Sequence, residues 1–365
     1  MQAIKDFIKG ETVLCVAVAL ALVSSCFYTP QLSYIDFGVL SVLLALMLVV
    51  AGLKSVRFLD WLAVELLNRC VSMRQLVLAL VGVTYFSSMF VTNDVALLTF
   101  VPLALVIGKA LQLDVGRIII LQTLAANLGS MLTPPGNPQN LFLYAHYDYT
   151  AWAFFRIMAL PALLSGAYIL FLIYRRADAP LTLRLERLPS PERWRTVLYL
   201  ALLLVNIAAV LHVVDKLFAL GMTVISLLFV QSRLFKQIDY SLLVTFVGFF
   251  IFIGNISQTA LVDYLQGSLL GTATGTYLAG LLASQFISNV PAAMLLAGLT
   301  EQADALLLGV DIGGLGTLIA SMASVISYKL FVAEHPYQAN QYLKQFLYYN
   351  FMGLLLLASA CYVLV

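Results

Sequence analysis

A chain of 365 residues that is 62% hydrophobic and 10% charged is excluded from the soluble globular class, in which roughly 25% of residues are charged. Its formal net charge of +2 gives no footing for nucleic acid, because the Lys and Arg residues fall between apolar segments rather than in a patch. Apolar stretches long enough to cross a hydrocarbon core of ~30 Å recur from end to end, which defines an all-α polytopic membrane protein of the cell membrane, embedded in the lipid bilayer.

The first apolar run, residues 11–28, follows Lys5 and Lys9. Val23-Ser24-Ser25-Cys26 loosely resembles a lipoprotein cleavage box, but the run is long enough for an uncleaved first span. A second span covers 36–53. Next, Leu59, Leu62, Ala63, Leu66, Leu67 and Cys70 form a stripe opposite Lys54, Arg57 and Arg69, the pattern of an amphipathic helix at the membrane surface. The stretch 75–111 is apolar but interrupted by Thr92-Asn93-Asp94. Residues 115–146 form a span broken between Asn127 and Asn137, and 151–174 is a full span. The segment Arg175–Arg195, with Pro180, Pro189 and Pro191, reads as a solvated linker leading into a lone span at 196–214.

A similar series follows. Spans at 217–232 and 240–256 precede a short interfacial candidate near Thr259–Leu269. The stretch 273–300 is interrupted by Ser288-Asn289-Val290-Pro291. Residues 303–331 are broken at Asp311-Ile312-Gly313-Gly314-Leu315-Gly316-Thr317, and 343–364 closes the chain. Each half of the two interrupted stretches is too short for a separate span plus loop, so each stretch reads as a re-entrant hairpin whose tip stops inside the membrane. The expectation is about nine full spans, two of them broken, plus two hairpins.

The basic residues test this arrangement. With the N-terminus in the cytoplasm and the C-terminus outside, all of the 20 Lys and Arg residues except Arg156 and Lys216 fall on the cytoplasmic side, as the positive-inside rule requires. Counting either hairpin as a crossing would reverse every later loop and scatter the charges. The same count gives an inverted repeat: a first unit over 1–174, a linker and orientation-flipping span over 175–216, and a second unit over 217–365.

Aligning the hairpin tips pairs Thr92-Asn93-Asp94 with Ser288-Asn289-Val290. Aligning the broken spans pairs Asn127 with Asp311, Gly129 with Gly313, Ser130 with Gly314, Thr133 with Thr317, Asn137 with Ser321 and Asn140 with Ser324. Hydroxyl and amide side chains beside glycine supply oxygen ligands for a hard monovalent cation, and broken helices aim positive N-terminal ends at an anion. Thr92, Asn93, Thr133, Asn137, Ser288, Asn289, Thr317 and Ser321 are therefore the expected substrate-binding set. Asn93, Asp94, Asn127, Gly129, Ser288, Asn289, Asp311 and Gly313 are the expected cation-binding set. Asp94 and Asp311 break the internal symmetry in opposite ways, one at a tip and one in a broken span. A carboxylate in a membrane span costs at least ~2.5–3.5 kcal/mol at its centre, so both are functional candidates. With each tip on the broken span of its own repeat, each half-site would hold one carboxylate, one tip Asn and several hydroxyls.

At these residues the chain resembles the ion transporter superfamily, and within it the citrate-transporter-like permeases: divalent-anion:sodium symporters, arsenite permeases and some sodium/proton antiporters. The symporters carry Ser-Asn-Thr at each tip. Here the Asn is retained at both tips and the third position differs, while Asn93-Asp94 is more similar to the arsenite-permease branch. The run Gly136-Asn137-Pro138-Gln139-Asn140 resembles the end of the symporters' broken span. The resemblance implies a scaffold with a mobile domain bearing both hairpins, elevator-type alternating access, often a homodimer, and one cation site at each tip with its broken span.

The sequence thus points to a secondary active transporter of a small anion, such as a di- or tricarboxylate or an inorganic oxyanion, coupled to Na+ or H+. The alternative is a cation/proton antiporter or an arsenite-type metalloid efflux permease. No other cofactor is implied. Cys15, Cys26, Cys70 and Cys361 form no CxxC pair, and neither an HExxH nor a paired acidic motif marks an enzyme.

Overall fold

The computed structural model describes residues 11–175, 177–181, 185–257 and 259–365. Lys5, Lys9, Arg176 and Arg184, which entered the charge count, lie outside the described residues. Among the described residues the regular structure is helical apart from one isolated bridge between Ser72 and Pro180.

The first half comprises α1 (Thr12–Ser25), α2 (Phe37–Ser55), the short α3 (Phe58–Leu67), α4 (Met73–Val91), α5 (Asn93–Leu111), α6 (Gly116–Ser130), α7 (Pro138–His146) and α8 (Ala151–Tyr174). After the linker come α9 (Arg193–Val210), α10 (Lys216–Gln231), α11 (Tyr240–Ile256) and the short α12 (Ala260–Gly267). The series ends with α13 (Ala273–Ile287), α14 (Asn289–Ala297), α15 (Ala303–Gly313), α16 (Met322–Glu334) and α17 (Ala339–Cys361). The expected spans at 151–174 and 240–256 coincide with α8 and α11, where Thr150 and Asp239 side chains accept first-turn backbone N–H groups and fix the helix starts.

Both interrupted stretches are antiparallel helix pairs. Met73 and Val77 near the start of α4 line the same cavity as Leu113 and Asp114 beyond the end of α5. In the second pair Thr276 and Thr300 hydroxyls lie 2.9 Å apart, closing the open end. One expectation changes. Each arm of the first pair has 19 residues and is apolar and long enough to cross a membrane, about 28 Å at 1.5 Å per residue. The α5 helix runs on through Pro102, so the arms are not too short to be spans. The second pair is shorter, with arms of 15 and 9 residues.

The packing is reciprocal. Helix α1 lies on α11 and α10 on α2; α4 lies on α6 and α13 on α15; α5 lies on α16 and α14 on α7. Each contact maps onto its partner when the halves are exchanged. The last pair of contacts matters most, because it sets the second arm of each hairpin against the far half of the other broken helix.

The linker is tied down where a free loop was expected. Its Asp178 accepts the backbone N–H of Arg74 at 2.9 Å, Ala179 accepts that of Met73, and Leu181 donates to Val71. Asn68 exchanges two hydrogen bonds with the Leu185 backbone. Backbone groups of the α3–α4 turn, with the Asn68 side chain, thus supply the partners the linker backbone needs.

Candidate functional site

The two hairpin tips are built alike. Thr92 has φ 71° and ψ 153°, and Ser288 has φ 72° and ψ 152°. Glycine alone adopts this region freely, so each tip stores about 1–3 kcal/mol of strain. The strained residue lets the chain reverse with no intervening loop and opens α5 and α14 immediately at Asn93 and Asn289.

Each broken helix is clamped to its hairpin at equivalent points. Thr133 Oγ1 donates to the Met89 carbonyl, and Thr317 Oγ1 donates to the Gln285 carbonyl, each three residues before the tip. Gly129 and Gly313 let the helices approach. A Cβ on Gly129 would collide with the Tyr85 carbonyl and Ser88 Oγ, and one on Gly313 with Ser284 Oγ. These four positions hold the breaks against the hairpins; their polar or backbone groups face helix rather than cavity.

The breaks then cross over. Asn93 Nδ2 donates to Asn127 Oδ1 at 3.2 Å, within the first half. Ser321 Oγ, from the second broken helix, donates to that same oxygen at 2.9 Å, and Asn127 Nδ2 donates to Ser324 Oγ at 3.2 Å. Reciprocally, Asp311 Oδ1 accepts from Asn137 Nδ2 at 3.4 Å and Gln139 Nε2 at 3.2 Å, both from the first broken helix. Each half-site therefore draws on both halves of the chain, where the sequence reading had each tip on its own broken span alone. On the second side, Asn289 lies against Gly314, whose missing Cβ makes room for the amide.

Between these parts lies a cavity of about 110 Å³. Asn93, Asp94, Asn289 and Ser321 line it, together with Gln139, Asp239 and Glu11. Asn137, Asn127 and Asp311 sit one hydrogen bond behind. Ser288 faces an adjoining groove of about 360 Å³ shared with Pro291 and Met322. Thr92 forms the turn itself. A larger groove of about 750 Å³, lined by Lys109, Asp114, Glu334 and His335, lies at the open end of the first hairpin, away from the breaks.

Gln139, Asp239 and Glu11 escaped the sequence reading. Gln139 had one available signal, since its aligned position in the second half is Ala323. Asp239 reads in sequence as a helix cap, which it also is.

Four helix N-termini from the hairpins and broken helices meet at the cavity, through first-turn residues of α5 (Asn93, Asp94), α14 (Asn289, Val290, Pro291), α7 (Pro138, Gln139) and α16 (Met322), beside the first turns of α1 (Val13, Leu14) and α11 (Ser241, Leu242). The exposed N–H ends and aligned dipoles of those turns favour negative charge. Among the described residues no Lys or Arg lines the cavity. Several buried oxygens in this region have no hydrogen-bond partner: Asp94 Oδ1, Gln139 Oε1, Asn140 Oδ1, Ser288 Oγ and Asp311 Oδ2. Carboxylate and amide oxygens of this kind suit a hard cation such as Na+. Among the described residues no group of three His, Cys, Asp or Glu side chains is placed to hold a metal ion. Anion-favouring helix ends and cation-favouring oxygens thus share one small space.

Comparison with known proteins gives the chain its relatives. The family model described as Citrate transporter matches residues 9–326. An uncharacterized transporter of Methanocaldococcus jannaschii is 30% identical over 290 residues, 78% of this chain and 78% of the relative. The inner membrane protein YbiR of Escherichia coli is 29% identical over 303 residues, 81% of this chain and 80% of its own length. A silicon efflux transporter of Oryza sativa is 31% identical over 132 residues, 36% of this chain and 27% of that protein. The family match runs through both hairpins and both helix breaks, and on that extent the chain belongs to the citrate transporter family of membrane transporters.

Proposed function

We propose that the chain is a secondary active transporter that moves a small anion, a di- or tricarboxylate or an inorganic oxyanion, coupled to Na+ or H+. The observation that carries this reading is the convergence of four helix N-termini on a cavity that also presents unpartnered carboxylate and amide oxygens. The helix ends compensate the anion, and the coupling cation compensates the carboxylates. An empty-handed anion would meet Glu11, Asp94 and Asp239, so anion and cation bind together. That mutual requirement is the physical content of symport.

In this reading the two halves, 1–174 and 217–365, are inverted repeats with the N-terminus cytoplasmic and the C-terminus outside. Helices α1, α2, α10 and α11 form the scaffold, and the hairpins and broken helices move as an elevator. The reciprocal packing of the halves supports this division. A screen of thermal unfolding against citrate, smaller carboxylates, oxyanions, Na+ and Li+ tests it. A true ligand stabilises the state it binds, and an anion should stabilise strongly only with its cation present. Stabilisation by anions with no dependence on Na+ or pH would contradict the coupling.

A second reading, metalloid efflux or cation/proton exchange, is favoured by one observation: among the described residues the cavity wall carries three carboxylates and no basic side chain. The relative named as a silicon efflux transporter points the same way. Uphill export of arsenite or silicic acid from vesicles, or Na+/H+ exchange without any anion, would select it.

A further inference from the structure

The two breaks answer one physical problem in different ways. Where a helix stops inside the protein, its last carbonyls lose their N–H partners and must find others. In the first break the partner comes from the far half of the same broken helix. Asn140 Nδ2 donates to the Met131 and Thr133 carbonyls at 3.1 and 3.3 Å, and Asn137 Nδ2 donates to Ser130 Oγ at 3.3 Å. The second break has Ser321 and Ser324 at the aligned positions, and both hydroxyls are turned to Asn127 instead.

The amide that serves the second break is Gln285, in the last turn of α13, three residues before the tip. Its Nε2 donates to the Gly313 and Leu315 carbonyls at 2.8 and 2.9 Å, with a longer 3.2 Å contact to the Leu281 carbonyl of its own helix. Its Oε1 accepts the Thr317 N–H at 2.9 Å. Two carbonyls at one end and an N–H at the other fix which way the amide points. Leu315 aligns with Met131, so the same carbonyl is met by an amide in each half, from the hairpin in one and from the broken helix itself in the other. Gly316 is fitted to this arrangement: its φ is 105°, and a Cβ there would stand 2.3 Å from Gln285 Oε1. Met89, at the equivalent position of the first hairpin, offers Thr133 its backbone carbonyl and carries no amide. Gln285 lines neither the central cavity nor the adjoining groove, whereas Asn289, four residues on, and Ser321, four residues past Thr317, both line the cavity.

We propose that Gln285 is the positioning residue for the second half of the site: it joins the second hairpin tip and the backbone of 313–317 into one body, so that Asn289 and Ser321 keep a fixed separation across the cavity. The first break holds its shape from within and needs no such residue on its hairpin. A ligand binds more weakly to a site that spends only part of its time in the binding geometry, in proportion to that fraction. The inference deepens the transporter reading and rests on it only for the uptake measurement below.

The test compares the full-length wild type with Gln285→Met, which installs the residue of the first hairpin. Hydrogen exchange resolved to single amides, in detergent and without ligand, is the first arm. The Thr317 amide should be protected in the wild type and exchange about tenfold faster in Gln285→Met, while the Gly136 amide of the first break is unchanged. Uptake of labelled citrate into proteoliposomes is the second arm. The half-saturating citrate concentration should rise about fivefold or more, with the maximal rate per folded protein held within about twofold. A residue that only supports the fold would lower the maximal rate and leave half-saturation where it was. An unprotected Thr317 amide in the wild type, unchanged exchange in the variant, or unchanged half-saturation would overturn the proposal. Where Gln285→Met fails to fold, the wild-type exchange decides. A wild type that takes up no citrate counts against citrate as the transported anion, and the exchange arm then decides this proposal alone.

Discussion

Thr92 and Ser288 adopt the same turn conformation, φ 71° with ψ 153° and φ 72° with ψ 152°, at the tips of two hairpins from opposite halves of the chain. Neither is glycine, although the region favours it. The first prediction follows from that strain. Thr92→Gly and Ser288→Gly should each raise stability by about 1 kcal/mol, the relieved strain less the greater freedom of glycine in the unfolded chain. Thr92→Val, which keeps both the strain and the β-branching, should not. Thermal unfolding midpoints of the three variants check this.

Thr133 and Thr317 donate to the carbonyls of Met89 and Gln285. Replacing either by Val leaves a buried carbonyl short of a partner, and each change should lower stability by about 1–3 kcal/mol. Thr→Ser at the same positions keeps the hydroxyl donor and should avoid most of the loss. Denaturant unfolding in mild detergent would show a reciprocal pair of effects of similar size.

Gly129 and Gly313 sit where a Cβ would strike the neighbouring hairpin arm. Gly129→Ala and Gly313→Ala should force the breaks away from the tips and destabilise by about 1–3 kcal/mol through overpacking. Loss of a monodisperse peak on size-exclusion chromatography, with Gly82→Ala unaffected because nothing lies within 4 Å of its added Cβ, is the expected outcome.

The linker gives a pH prediction. Asp178 accepts the Arg74 and Ala179 backbone N–H groups, and the Arg74 hydrogen bond holds its carboxyl below the usual range. A depressed carboxyl stabilises its partner contact above the unfolded pKa, and the effect is lost as pH falls through the folded value. Proteolytic nicking of the linker should therefore rise on acidification below the ordinary Asp range. Asp178→Asn should remove that pH dependence.

Much of the fold was legible because membrane spans are bounded by strong signals. Asp239 and Thr150 cap α11 and α8 where apolar runs begin, and the Gly- and Pro-rich runs after Asn127 and Asp311 mark the two breaks. The end of the first interrupted stretch at 111 was legible, but the spanning length of its two arms was not, because the polar Thr92-Asn93-Asp94 looks like a loop while the chain reverses at Thr92 and the helix resumes at once at Asn93. The site was legible as a set of aligned positions, but not as a set of contacts. Alignment pairs Asn127 with Asp311, yet neither touches the other's hairpin; each bonds to the far half of the other broken helix. Such crossing depends on how two repeats intersect in space, which no local pattern encodes. Gln139 shares its surroundings with residues that cap and turn the chain, so its approach to Asp311 was hidden.

The central claim is that both tips close on one anion and its coupling cation. Its most direct test is uptake of labelled citrate, or of a smaller carboxylate that stabilises the protein better, into proteoliposomes under an imposed Na+ or H+ gradient. Wild-type vesicles should accumulate the anion above its external concentration only while the gradient lasts. Asn93→Ala and Asn289→Ala should each abolish accumulation in protein that remains folded. Accumulation without either gradient, or undiminished uptake in both variants, would contradict the account.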